Sequence, residues 1–297
     1  MLKRILSPVI TAVLCAATSI AGPIAYVGLG GTCIDPSCLT YRTTLGVIDF
    51  STGAFTRIGA TDGFVPNISG LANGNGGLYA GDAVSNTVNL VNPATGTFTN
   101  VGTANVGAGN VSILGSTMGV LYELALPSMN LYSFNPANGS TTLIGPTGIP
   151  APAADLSNLF GVTLTGLGGS LYASYLLMDP QGNPLLPDNL YRINPATAQA
   201  LMIAGGLSGA ECVSDIATVS NSVYVFADQV GGCSSPATYG IFGVNLATAQ
   251  AGTSLSHPAR GPVLAAAGVP EPASFVTAGL GLLMLGLGCR VSRSKRA

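Results

Sequence analysis

Five segments of the chain share one pattern, and this repetition constrains the fold more than any other feature. A Tyr in an apolar, strand-like run (Tyr26, Tyr79, Tyr122, Tyr172 and Tyr224) is followed by another short strand ending on Asp49, Asn92, Asn135, Asn194 or Asn245. Three of these residues open an Asn-Pro-Ala turn, at Asn92, Asn135 and Asn194. Pro fixes φ at the turn, and Gly96 or Gly139 near its end tolerates a positive φ. Another apolar segment, such as Ile68 to Ala72 or Val111 to Gly115, precedes all but the first Tyr, so a unit holds four strands, A to D. The Asx landmarks are 43, 43, 59 and 51 residues apart. Four strands repeated every ~40–50 residues predict an all-β fold, a single β-propeller of five four-stranded blades. A β-sandwich or β-solenoid is the competing solution. Composition agrees with short strands and tight turns: 7% charged residues, 41 Gly and no Trp, with 47% apolar residues, too many for a disordered chain.

Blade one lacks its own strand A. Gly261-Pro262-Val263-Leu264-Ala265-Ala266-Ala267 is placed to supply it from the far end, closing the ring and removing open sheet edges. In its turn and Tyr-strand pattern the unit resembles the repeats of bacterial YVTN- and NHL-like propellers. The Tyr-to-Asx spacing is 13 residues in blades two and three but 23, 22 and 21 in blades one, four and five. The extra residues fall between strands B and C of blades that become neighbours in a closed ring. They predict one raised rim on one face, where long loops on a rigid scaffold carry binding. Asp35, Tyr41, Arg42, Asp179, Asp188 and Tyr239 are the candidate ligand rim. Neutral drift in loop length is the alternative.

Both ends read as addresses. Lys3 and Arg4 precede an apolar run from Ile5 to Ala17, and Ser19-Ile20-Ala21 supplies the small residues that a signal peptidase reads before Gly22. Residues 1–21 are therefore a secretory signal peptide, and 22–268 the folded domain. At the other end Pro270-Glu271-Pro272 precedes an apolar run from Ala273 to Cys289, and Arg290, Arg293, Lys295 and Arg296 follow. Seventeen residues are just enough for a membrane span, with the cations left in the cytoplasm. This order of Pro-Glu-Pro motif, Gly/Leu-rich span and basic terminus resembles the PEP-CTERM sorting signal of Gram-negative bacteria, here residues 269–297. The resemblance implies recognition by an exosortase, processing near residues 270–272, a transient inner-membrane intermediate, and final residence at the outer surface or in the extracellular matrix. A simple C-terminal anchor is the alternative, and it also places the domain outside the cytoplasm.

Between these ends the only cations are Arg42, Arg57, Arg192 and Arg260, too few for the basic stripe a nucleic-acid partner needs. In an oxidising compartment the shortest cysteine pairings are Cys33–Cys38 and Cys212–Cys233. A zinc site competes, but neither pair has C-x-x-C spacing. His257 is the only His, so no Ser/His/Asp or Cys/His set forms without it. Asp82, Glu123 and Asp228 fall near the ends of B strands and read as solvated edge residues. No metal, cofactor or catalytic residue is expected. The resulting expectation is a non-enzymatic binding or structural protein of the envelope, associated with exopolysaccharide. A secreted carbohydrate-active hydrolase on the same scaffold is the second reading.

Overall fold

Period-two alternation of apolar residues is realised as twenty short strands. The computed structural model describes residues 23–33, 41–59, 68–153, 159–179, 184–207, 210–228, 239–248, 250–256 and 263–269. Blade one holds β1 (Ile24–Cys33), β2 (Tyr41–Asp49) and β3 (Phe55–Arg57). Blade two holds β4 (Ile68–Gly74), β5 (Gly77–Asp82), β6 (Thr87–Val91) and β7 (Phe98–Thr103). Blade three holds β8 (Val111–Thr117), β9 (Val120–Leu126), β10 (Asn130–Asn135) and β11 (Ser140–Pro146). Blade four holds β12 (Leu159–Leu167), β13 (Ser170–Met178), β14 (Pro184–Ile193) and β15 (Ala200–Ala204). Blade five holds β16 (Glu211–Val219), β17 (Ser222–Asp228), β18 (Tyr239–Asn245) and β19 (Gln250–Ser256), and β20 (Val263–Gly268) follows.

Each sheet is an antiparallel meander, and β20 completes blade one in the order β20-β1-β2-β3. Its register on β1 runs from Ala25 opposite Gly268 to Leu29 opposite Val263, so the closure expected from the sequence is present. The inner strands β4, β8, β12, β16 and β20 contact one another in sequence round the axis, and β20 contacts β4. The molecule is a five-bladed β-propeller. The predicted signal peptide and the 270–297 tail lie outside the described residues. Among the described residues no helix is long and apolar enough to cross a membrane.

Two repeated devices explain the sequence landmarks. At all five C–D turns the Asx Oδ1 accepts the N–H two residues on: Ser51 to Asp49, Ala94 to Asn92, Ala137 to Asn135, Ala196 to Asn194 and Ala247 to Asn245, at 2.7–3.0 Å. This Asx turn satisfies a backbone donor where the ladder stops. The Tyr of each B strand packs into the core shared with the following blade: Tyr26 beside Ile68, Tyr79 beside Leu114, Tyr122 beside Leu164, Tyr172 beside Val213, and Tyr224 beside Phe50. Tyr224 meets the Phe50 ring edge-on at 4.6 Å. The residue after each Tyr faces the preceding blade instead.

At the axis five inner strands crowd together. A Cβ on Gly70, Gly166 or Gly268 would fall on the carbonyl oxygen of Leu114, Ser116 or Thr218 in the neighbouring inner strand. Only glycine permits that approach of one backbone to another.

Candidate functional site

The strand directions sort the connections onto two faces. B–C hairpins and D–A connections share one, the hairpin face. A–B turns, C–D turns and the exit of the chain at Gly268 and Val269 share the other, the tail face.

On the hairpin face, blades two and three close tightly, with Asp82 opposite Thr87 and Ala125 opposite Asn130. In blades one and four the inserted residues are not simple loops. The ladder continues through them, with register shifts at Gly30/Cys33 and between Tyr175 and Met178, until Cys33 pairs with Tyr41 and Met178 with Pro184. A β-bulge absorbs an odd residue on one strand, so pairing resumes beyond each shift. In blade five the ladder runs to Asp228 opposite Tyr239. The extended hairpins of blades one and four thus lie on the same face, and the inserted residues 229–238 of blade five, between them in the ring, lie outside the described residues. Tyr41 and Arg42 open β2, Asp188 lies within β14, and Tyr239 opens β18. Asp179 follows β13 directly and is half-buried. Asp35, Cys38, Cys233, His257 and the sorting residues Pro270, Glu271, Pro272 and Arg290 lie outside the described residues, as do Ala21 and Gly22. Cys33 ends β1 and Cys212 is the second residue of β16, but the partner expected for each lies outside.

Beneath this face lie buried polar groups that the sequence reading missed or misassigned. Glu123 is not a solvated edge residue: it is 0% exposed. It directly follows Tyr122, and its counterparts Val27, Ala80, Ala173 and Val225 are also fully buried. Glu123 thus puts a carboxyl into the core between blades two and three. Neither oxygen makes a hydrogen bond of normal geometry. Burial pushes the group up to about 7, and the nearby Thr141 hydroxyl only partly opposes this. Asp215 occupies the interface between blades five and one. Burial holds it well above the ordinary carboxyl range, although the Ile216 and Ala266 N–H groups donate to it. Its Oδ2 is unpartnered. Under the blade-four hairpin, Asn189 donates to the Tyr191 hydroxyl at 3.5 Å. Burial, with neighbouring Tyr191, raises the Tyr175 phenol. Asp82, by contrast, sits at the surface and caps its own turn, accepting from Val84 N–H at 2.9 Å and from the Ser85 hydroxyl at 2.6 Å.

On the tail face the axis opens into a cavity of about 160 Å³, lined by all five inner strands through Asn73, Thr117, Thr165, Thr218 and Gly268. The Asn73 amide donates to the Gly268 carbonyl. The Thr165 and Thr218 hydroxyls are bonded at 3.3 Å. The lining is uncharged. Glu123 and Asp215 lie in separate, closed blade interfaces, and among the described residues no group of three His, Cys, Asp or Glu could hold a metal.

No protein-family model matches the chain. No curated protein sequence matches it either. Among solved structures it is similar to glutaminyl cyclase of Myxococcus xanthus, at 13% identity over 72% of this chain and 75% of that one, TM-score 0.41. It is also similar to a chain of a nidogen/laminin complex, at 10% identity over 84% and 98%, TM-score 0.49. A protein of unknown function from Bacteroides caccae is similar at 9% identity over 84% and 100%, TM-score 0.44.

Proposed function

We propose that this chain is a non-enzymatic binding or structural module of the cell envelope. Residues 1–21 direct its export, and an exosortase handles it at residues 270–272. The three extended hairpins hold exopolysaccharide or a like matrix polymer. One observation carries the binding part: the hairpins of three adjacent blades are lengthened on one face of a closed ring, while blades two and three keep minimal turns. Such a scaffold fixes its strand ends and leaves the projecting segments free to define a surface. The ordered Pro-Glu-Pro motif, apolar span and basic residues support the sorting part.

The test uses two variants in the producing cell. Changing Pro270 and Glu271 to Ala should leave export intact and hold the protein in the inner membrane. Unchanged surface release would remove the exosortase from the account. Trimming the three hairpins to the blade-two length should abolish adhesion to the cell's own matrix without unfolding the ring. Adhesion that survives trimming would leave drift as the reason for their length.

A further inference from the structure

The two faces differ in charge as well as in shape. By sequence, every acidic residue between 23 and 269 other than Asp49 and the buried Glu123 and Asp215 falls in or beside a segment that joins strands B and C or strands D and A. The tail face is built from Asn, Thr, Ser, Gly and Pro turns around the axial cavity, and among the described residues Asp49 is its only acid. That same face displays Met118, 80% exposed, and Val120, 41% exposed, on the A–B turn of blade three. Met118 has φ 52°, a region that bulky side chains rarely adopt. It lines the mouth of the axial cavity.

The chain leaves the ring at this mouth. Val269 N–H donates to the Ile24 carbonyl at 2.9 Å, so the last described residue is still tied to blade one. Only Pro270, Glu271 and Pro272 separate it from Ala273, where the apolar run begins, and the four Cα–Cα steps span at most ~14 Å when fully extended. A domain of this length has a radius of gyration of ~18 Å. The tether is therefore shorter than the disc's radius and leaves from near its centre, on an inner strand. A disc held this way cannot turn over.

We infer that, while the tail sits in the membrane, the ring rests with its tail face on the bilayer surface, Met118 and Val120 meeting the lipid, and its hairpin face turned outward. The inference rests on the anchored reading proposed above. It names the bilayer as the partner of this face. A face with a single acid and an exposed apolar turn suits the headgroup boundary, whereas the segments that join strands B and C or D and A carry the acids that anionic lipid repels. The same orientation places the extended hairpins farthest from the membrane, where a matrix polymer is met.

The natural chain has no Trp, so single-Trp variants report position without background. The full chain carrying Met118→Trp, Val84→Trp or Phe275→Trp is reconstituted in vesicles of phosphatidylethanolamine and phosphatidylglycerol. Val84 is 66% exposed on the B–C turn of blade two and serves as the hairpin-face control. Iodide quenching of Met118→Trp should fall several-fold on reconstitution, and lipids brominated near the headgroup should quench it. Val84→Trp should stay fully accessible to iodide. A Phe275→Trp quenched by deeply brominated chains, together with a water-exposed Met118→Trp, overturns the face assignment and leaves the anchor standing. A Phe275→Trp that stays in water overturns the anchor and the face assignment with it. Shielding of Met118→Trp that appears only when vesicles also hold the processing enzyme assigns the face to that enzyme and overturns the bilayer.

Discussion

Glu123 stands in a core position that four other blades fill with Val or Ala, and the consequence is a stability that depends on pH. Burial raises it from 4.5 to about 7. The folded protein then holds this proton more tightly than the unfolded chain does. The group's contribution is full below about pH 4.5, falls as pH rises toward 7, and stays at its lower level above that. The gap corresponds to ~3 kcal/mol. Asp215 is shifted in the same direction and adds to the slope. Glu123→Gln should therefore melt several degrees above the parent at pH 8, with the difference shrinking at pH 5. Melting curves across that range check it, and identical pH profiles for the two proteins would contradict it. The burial of Glu123 was legible, though not from its own chemistry. A lone Glu near a strand end suggests solvent. Aligned on Tyr26, Tyr79, Tyr122, Tyr172 and Tyr224, the following residue is apolar in every repeat but this one, and that column marks a core. Asp215 offered no such column, because register shifts around Val213 and Asp215 break the alignment of its strand with the others.

Among the elements, the turns were the most readable. Asn-Pro-Ala announced the C–D turns because the side chain itself makes the hydrogen bond that defines them. The extended hairpins were only half-readable. Their length was plain from the Tyr-to-Asx spacing. That they would continue as paired strands depends on cross-strand partners such as Leu177 and Leu186, which no single segment reveals. The A–B turns carry one misfit. Three of them use Asn75-Gly76, Gly168-Gly169 and Ser220-Asn221, while blade three uses Met118-Gly119, with φ of 52° and 78°. Two-residue turns with both φ positive favour Asn-Gly. Met118→Asn should raise stability by about 0.5–1 kcal/mol, since Asn adopts this conformation readily and little buried surface is lost from a residue 80% exposed. Thermal melting reads the change, and a lower melting point would show that Met118 makes a stabilising contact with the ring itself. A residue that costs stability where it stands is better explained by what it meets outside the fold.

For the molecule as a whole, everything depends on the latch. β20 covers the inner edge of β1 and fills the gap between the inner strands of blades five and two. Val263, Ala265, Ala266 and Ala267 are all buried there. Their burial contributes on the order of 4 kcal/mol, before the ladder to β1 is counted. Domains of ordinary stability hold only about 5–15 kcal/mol in total, so the latch decides whether the ring persists. Its position also sets a limit on processing. The proposed cleavage region at 270–272 begins one residue beyond Val269, so a cut there frees the tail and leaves every β20 pairing in place. A cut a few residues earlier would remove Gly268, opposite Ala25, and the carbonyl that Asn73 binds. A mature chain ending at residue 269 should therefore unfold cooperatively with the melting point of the longer protein. One ending at residue 262 should lose the cooperative transition and bind hydrophobic dyes, because β1 and the cores on both sides of blade one are then exposed. Calorimetry of the two proteins separates these outcomes. If the chain ending at 262 melts like the longer one, the ring does not depend on its closing strand, and the close spacing between latch and sorting motif has no structural reason.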